Sequence, residues 1–309
     1  MIKPNLKDIE KTLVETEFPN SVILEVIAGC NLNCIMCPQG DMDREKGEMK
    51  FSTFKKIVDQ ISEEDKNTNV WLAIMGEPLL LGDKFVDMIA YAKNKGLTNI
   101  HLNTNGCLLT PDISDRIIEN GIEEVIIGID AYTKETYEKI RLQGDFDELI
   151  DNIDYIINKK NELEKDKPRI IIQFIVMDEN ENELEDFKKY WLDKNQIVKV
   201  RPKLGWGTGV VAENLTLENK DRSFPCPWLI RTMSIHWNGN VAQCDADYEG
   251  LFVSGNVNKE SLKEIWNADL KKKRLKHWNM DFDFEPCKTC KDWQAGKSYF
   301  YYPNESKER

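Results

Sequence analysis

The chain lacks any apolar run approaching the ~18 residues that a membrane-spanning helix needs, so no membrane segment is expected. Its opening stretch, MIKPNLKDIEKTLVETEF, has no apolar signal core, which argues for a cytoplasmic rather than a secreted protein. A basic excess is also missing: 42 Lys and Arg face 54 Asp and Glu, leaving a formal charge of −12. Non-specific nucleic-acid binding calls for a basic face, so nucleic acid is not an expected partner. There is no internal repeat and no low-complexity tract. What is present is ordinary for a folded chain of 309 residues: 41% hydrophobic and 31% charged. That length accommodates one large domain, or a large one with a smaller companion. The oligomeric state is not legible.

Eight cysteines stand out: Cys30, Cys34 and Cys37 near the start, Cys107 alone, then Cys226, Cys244, Cys287 and Cys290. In a reducing compartment such a set points to metal or redox chemistry rather than disulfides.

The first 20 residues read as a short polar helical lead-in. From there β-rich runs alternate with amphipathic helical stretches. VILEVIAG (22–29), WLAIMG (71–76), IHLNTNG (100–106), VIIGID (125–130), IIIQFIVM (170–177) and VKVRPK (198–203) are the strand candidates. Their β-branched, mostly continuous apolar character suits a parallel sheet covered on both faces. The helix FSTFKKIVDQISEE has Ser52 or Thr53 as its candidate N-cap. GDKFVDMIAYAKNKG stops at Gly96, and TPDISDRIIENG has Thr110 as N-cap, Pro111 at the first helical position and Gly121 past the end. Six β–α units over 21–204 predict an α/β fold, an open partial (β/α)6 TIM-like barrel. Beyond residue 204 the character changes. GWGTG (205–209) reads as a flexible loop, with Trp206 a candidate for the mouth of a substrate site. Asn238-Gly239 signals a two-residue hairpin. SLKEIWNADLKKKRLKHW (261–278) reads as one helix with a basic end, a solvated face or a patch for an electron donor. The aromatic tail is expected to fray. Residues 205–309 form the smaller C-terminal β-hairpin/helix domain of this division.

Cys30-x3-Cys34-x2-Cys37 follows the first strand directly, where barrel chemistry is located. Three thiolates are too few for a closed zinc site unless a distant fourth ligand joins them; they suit a 4Fe–4S cube with one iron left open. On these cysteines the chain resembles the radical SAM superfamily, whose motif has this spacing, with Met36 standing where an aromatic residue is usual. The resemblance implies that the open iron binds S-adenosylmethionine (SAM), which is cleaved reductively to a 5′-deoxyadenosyl radical, while the protein positions and shields it. Met75-Gly76-Glu77-Pro78 is similar to the family's GGE-type motif, implying that Gly76, Glu77 and Pro78 help hold the cofactor's ammonium. Asn103, Thr104 and Asn105, from an NTNG run, are implied at the ribose or the substrate. Asp130 and Arg141 resemble a region whose Arg pairs with the cofactor carboxylate, with Gly128 in place of the usual Ser. Gln173 and Met177 are further candidates on the fifth strand.

Cys226, Cys244 and the terminal Cys287-x2-Cys290 make a closed four-thiolate site, for which composition alone favours zinc. After a radical SAM barrel, however, the module resembles the SPASM/twitch extension, and four cysteines match its branch with a single auxiliary 4Fe–4S cluster. That branch includes 2-deoxy-scyllo-inosamine dehydrogenases and is related to radical epimerases. The resemblance implies oxidation of a carbohydrate- or cyclitol-like alcohol, with the auxiliary cluster accepting an electron and a base such as Asp130 or Lys203 taking a proton; Arg201, a poor base, would orient the substrate. Two alternatives stay open: an epimerase using Cys107 as hydrogen donor, and a peptide maturase. A non-catalytic iron–sulfur electron carrier is the reading from another class. The expected partners are a small-molecule or peptide substrate and an electron donor such as a flavodoxin or ferredoxin.

Overall fold

The computed structural model describes residues 6–303. Six parallel strands stand at its centre: β1 (Ser21–Leu24), β2 (Asn69–Leu72), β3 (Ile100–Thr104), β4 (Glu124–Gly128), β5 (Arg169–Val176) and β6 (Ile197–Pro202). They pair side by side in chain order. The helices are α1 (Leu6–Glu10), α2 (Phe51–Glu64), α3 (Asp83–Asn94), α4 (Pro111–Asn120), α5 (Lys134–Ile140), α6 (Phe146–Glu162) and α7 (Leu184–Asp193). The result is the expected open partial barrel. Its sheet continues beyond the six strands. β7 (Thr232–Ile235) joins β1 in parallel, β8 (Asn240–Ala242) and β9 (Val253–Asn256) follow antiparallel, and β10 (Tyr299–Tyr301) pairs antiparallel with β6. Among the described residues no helix is long and apolar enough to cross a membrane.

Strand alternation divides the molecule into a packed layer and a lined interior. Val22, Leu24, Val70, Leu72, Val198 and Val200 are fully buried in the main hydrophobic core. Each such side chain contributes roughly 1.5–3 kcal/mol by leaving water. Their neighbours Ser21, Ile23, Trp71, Lys199 and Arg201 point the other way and line a cavity. The continuous apolar reading therefore suits β4 and β5, buried at four of five and seven of eight positions, but not β1, β2 and β6, where Ser21, Trp71, Lys199 and Arg201 face the interior.

Several local expectations need correction. Helix α2 begins at Phe51 with Lys50 as its cap, so Ser52 and Thr53 lie within its first turn. The Thr53 hydroxyl donates instead to Asn258 Oδ1 at 2.9 Å. Thr110, Pro111 and Gly121 do bound α4 as their chemistry predicts, and Gly121 adopts φ 59°. Four residues, not two, lie between β7 and β8, with Gly239 at φ 87°. The 261–278 stretch is two helices, α9 (Leu262–Asn267) and α10 (Asp269–Trp278), broken at Ala268. Buried Arg274 explains the break. Its guanidinium stacks 3.7 Å from the Trp266 ring and donates to the Trp266 carbonyl at 3.0 Å, capping α9 from within the fold. The aromatic tail is the strand β10 rather than a frayed end; residues 304–309 lie outside the described chain. Among the described residues up to 20, the lead-in helix covers 6–10, residues 1–5 lying outside the described chain, and α8 (Pro227–Arg231) precedes β7.

Candidate active site

The loop after β1 turns back on itself because Cys37 N–H donates to the Cys34 carbonyl at 3.0 Å. Donors surround its sulfurs. Leu32 N lies 3.4 Å and Asn105 Nδ2 3.7 Å from Cys30 Sγ, while Arg141 Nη1 lies 3.5 Å from Cys34 Sγ. Hydrogen bonds of this kind hold and tune metal-bound thiolates. Burial pushes the free Cys30 and Cys37 thiols up to about 11, so a cationic centre is needed to keep them ionised near neutrality. Among the described residues, no three His, Cys, Asp or Glu side chains converge as ligands of a single metal ion. A cube, which gives each thiolate its own iron and leaves the fourth open, suits a set of three thiolates.

A cavity of about 170 Å3 opens beside the three cysteines. Of the residues anticipated from sequence, Gly76, Glu77, Asn103, Thr104, Asn105, Arg141, Gln173, Arg201 and Lys203 line it, as does Trp206. Gly76 fits because it has no side chain: a Cβ there would stand 2.1 Å from the Ile27 carbonyl oxygen. Glu77 is buried, and its carboxylate is already engaged. It accepts from Thr104 Oγ1 at 2.8 Å, Asn105 N at 2.7 Å and Leu79 N at 3.1 Å, which ties the ends of β2 and β3 together. Its burial raises its pKa, and the donated bonds oppose that rise. Asn103 Oδ1 and Gln173 Oε1 are buried without a partner, an arrangement a bound ligand would relieve.

Other anticipated residues sit outside this cavity. Asp130 is fully buried, with φ 63°, and is paired to Arg141. Pro78 opens the short turn behind Glu77. Met177 and Cys107 pack in one cluster with Leu32, Cys34 and Met36 without themselves lining the cavity. The Cys107 thiol faces the Tyr137 hydroxyl at 3.6 Å, and burial raises its pKa.

The four C-terminal cysteines surround a small pocket of about 20 Å3. Cys287 Sγ is approached by Gln243 Nε2 at 3.2 Å and His277 Nε2 at 3.3 Å. Burial drives the Cys287 thiol up to about 12 and the Cys244 and Cys290 thiols upward as well. This donor set also fits an iron–sulfur cluster. Sequence reasoning missed His277 and Gln243, since no spacing links them to the cysteines.

A third cavity, of about 380 Å3, lies between the two. It shares Ile74, Gly76, Asn103, Gln173 and Arg201 with the first and Trp228, Ala246 and Asp292 with the four-cysteine pocket. Trp206 of the GWGTG segment lines it, and the segment is pinned rather than free: Asp292 accepts from Gly205 N at 2.6 Å and Gly207 N at 2.8 Å. Lys199 and Arg231 also line this cavity and were not singled out in the sequence. Burial, reinforced by neighbouring Arg201, pushes Lys199 down to about 7. The signal for Lys199 was the alternation of VKVRPK; nothing in the sequence marked Arg231.

Comparison with known proteins decides the family. The radical SAM superfamily profile matches residues 24–190, more than half of the chain. The chain belongs to the radical SAM superfamily. A second profile, SPASM, described as an iron-sulfur cluster-binding domain, matches 226–291. This membership brings a SAM-binding 4Fe–4S cluster and SAM, with an auxiliary iron–sulfur cluster in the second region. The chain is 27% identical over 172 residues to the tungsten-containing aldehyde ferredoxin oxidoreductase cofactor-modifying protein of Pyrococcus furiosus, a match covering 55% of this chain and 47% of that one. It is 24% identical over 250 residues to the S-adenosyl-L-methionine-dependent 2-deoxy-scyllo-inosamine dehydrogenase of Niallia circulans, covering 80% and 81%. The matches to the first three relatives span less than half of those proteins' own lengths. In fold, the chain resembles BtrN in complex with AdoMet and 2-DOIA, with TM-score 0.63, 20% identity and coverage of 93% and 98%. It also resembles Streptococcus suis SuiB bound to precursor peptide SuiA, with TM-score 0.68, 12% identity and coverage of 94% and 72%.

Proposed function

We propose that this radical SAM protein is an oxidoreductase that dehydrogenates a carbohydrate- or cyclitol-like alcohol, with the auxiliary cluster as electron acceptor. Cys30, Cys34 and Cys37 would hold the SAM-binding cluster, and Cys226, Cys244, Cys287 and Cys290 the auxiliary one. When bound, these groups supply a hydrogen-abstracting 5′-deoxyadenosyl radical and a one-electron acceptor. The observation that carries the reading is the 380 Å3 cavity, whose walls include residues of both cysteine pockets. A substrate there lies between the source of the radical and the sink for the electron. Balance then requires a carbinol C–H to lose a hydrogen atom and its O–H a proton, with one electron leaving toward the four-cysteine side, which yields a carbonyl.

The chain's own residues supply binding and orientation. Asn103 and Gln173, with their unpartnered oxygens, can accept from the bound nucleoside or a substrate hydroxyl. Arg201 stands where the two cavities meet and orients the substrate. Asp130 is committed to Arg141 and acts as a positioning residue; Lys203, beside Glu213 at 3.6 Å, remains on the cofactor side. The epimerase alternative is less well supported, because the Cys107 thiol lines neither cavity. The similarity to the 2-deoxy-scyllo-inosamine dehydrogenase over four fifths of the chain favours the same reaction class.

The test is to incubate the anaerobically reconstituted protein with SAM and carbinol-deuterated cyclitols and sugars. Deuterium appearing in 5′-deoxyadenosine, together with a carbonyl product lighter by one hydrogen and one deuterium, is the expected result. A product of the same oxidation level as its substrate would overturn the dehydrogenase reading.

A further inference from the structure

Three basic side chains, Lys199, Arg201 and Arg231, and two carboxylates, Asp245 and Asp292, line the 380 Å3 cavity. Lys199 is buried, at 8% exposed, and Arg201 and Arg231 are half-buried. Among the described residues no ion pair includes any of the three. Arg201 Nε and both Nε and Nη2 of Arg231 are buried without a hydrogen-bond partner. The carboxylates on the cavity wall attract Arg201 through space without pairing to it, and their hydrogen bonds go to other groups. Asp245 accepts from the Ser234 hydroxyl, and Asp292 from the Gly205 and Gly207 amides. Glu124, which lies near Lys199, is held by His101 at 2.9 Å and by Arg169.

Burying polar and charged groups without a contacting partner is costly, a cost that a bound anion in this cavity would relieve. The planar guanidinium fork matches the oxygens of a carboxylate or phosphate.

We infer that the substrate is an anionic small molecule, an alcohol carrying a carboxylate or phosphate group that is held by Arg231, Lys199 and Arg201 inside the barrel. This rests on the dehydrogenase reading for the alcohol, but not for the anion site. The anchored oxyanion fixes one end of the substrate and leaves its carbinol toward the cofactor side, where Asn103 and Gln173 also line the wall. An anion beside Lys199 favours its charged form, so binding should draw a proton from solution above neutral pH.

The holoenzyme can be titrated calorimetrically with inorganic phosphate and, separately, with acetate, at constant ionic strength and in two buffers of different ionisation enthalpy. The expected result is saturable one-to-one binding of one of these anions, with proton uptake at pH 8. Affinity should fall at least tenfold in both Arg231→Gln and Lys199→Gln. Phosphate binding alone assigns a phosphate ester, and acetate binding alone a carboxylate. No saturable binding of either anion by the wild-type protein would overturn the inference, as would undiminished affinity in the variants. Iron content and far-ultraviolet circular dichroism establish that each variant is folded, and the two substitutions lie on different elements, so either serves if the other fails to fold. Loss of 5′-deoxyadenosine formation with anion binding intact would instead count against the radical reading alone.

Discussion

Asp130 and Arg141 form a buried ion pair in which the carboxylate is wholly shielded and the guanidinium reaches Cys34 Sγ at 3.5 Å. The same carboxylate accepts from Ile175 N at 2.7 Å, and Asn180 Nδ2 donates to the Asp130 carbonyl at 2.7 Å. One side chain thus sets the place of an arginine beside the cysteine loop. Removing it strands a buried cation. Asp130→Ala should cost about 3–5 kcal/mol, read by chemical denaturation, and Asp130→Asn less because it keeps an acceptor. A loss below about 1 kcal/mol for the alanine variant, the range of an exposed pair, would show that Arg141 does not depend on it.

Gly76 should tolerate no side chain. The Cβ of an alanine would meet backbone, the Ile27 and Gly29 carbonyl oxygens at 2.1 and 2.9 Å, which cannot swing away as a side chain would. Gly76→Ala should therefore lower stability by about 1–3 kcal/mol, as overpacking does, and weaken SAM binding, measured by equilibrium dialysis. Wild-type affinity in this variant would count against the placement of the cofactor.

His236 should make the fold sensitive to acid. Burial, with nearby Arg44 adding to it, pushes its pKa down to about 3, so it is neutral in the native state. Once unfolded it titrates near 6.5. Between those values the unfolded chain holds one more proton, and stability falls as pH drops from about 6.5 toward 3, by at most about 1.4 kcal/mol per pH unit from this group. His236→Gln should flatten that slope by one proton, as measured from denaturant midpoints across this range. An unchanged slope would contradict the assignment.

Metal content separates the readings of the four-cysteine pocket. The reconstituted protein should hold about eight irons, two cubes' worth, and the paired variant Cys287→Ala/Cys290→Ala about four. Four irons with one zinc in the wild-type protein would replace the auxiliary cluster by a structural ion.

Most of the framework was legible because it rests on local chemistry. Thr110, Pro111 and Gly121 bound their helix from composition alone, and the 30–37 loop announced its donor set by spacing. What escaped depends on three-dimensional placement. Lys199 looked like an ordinary strand residue until the barrel turned its alternate face inward, beside the anticipated Arg201. His277 and Gln243 reach Cys287 only through tertiary packing. Ala268 interrupts an otherwise helical pattern because Arg274, six residues on, folds back to cap the preceding turn. Cys107, next to the NTNG run in sequence, lines neither cavity and faces Tyr137 instead, since adjacency along the chain does not determine the direction of a side chain.

The central claim is that the three-cysteine loop binds a cluster able to split SAM. Wild-type protein reconstituted without oxygen, then given dithionite and SAM, should release 5′-deoxyadenosine, and Cys34→Ala should release none. No 5′-deoxyadenosine from fully iron-loaded wild-type protein, or undiminished release from Cys34→Ala, would contradict it.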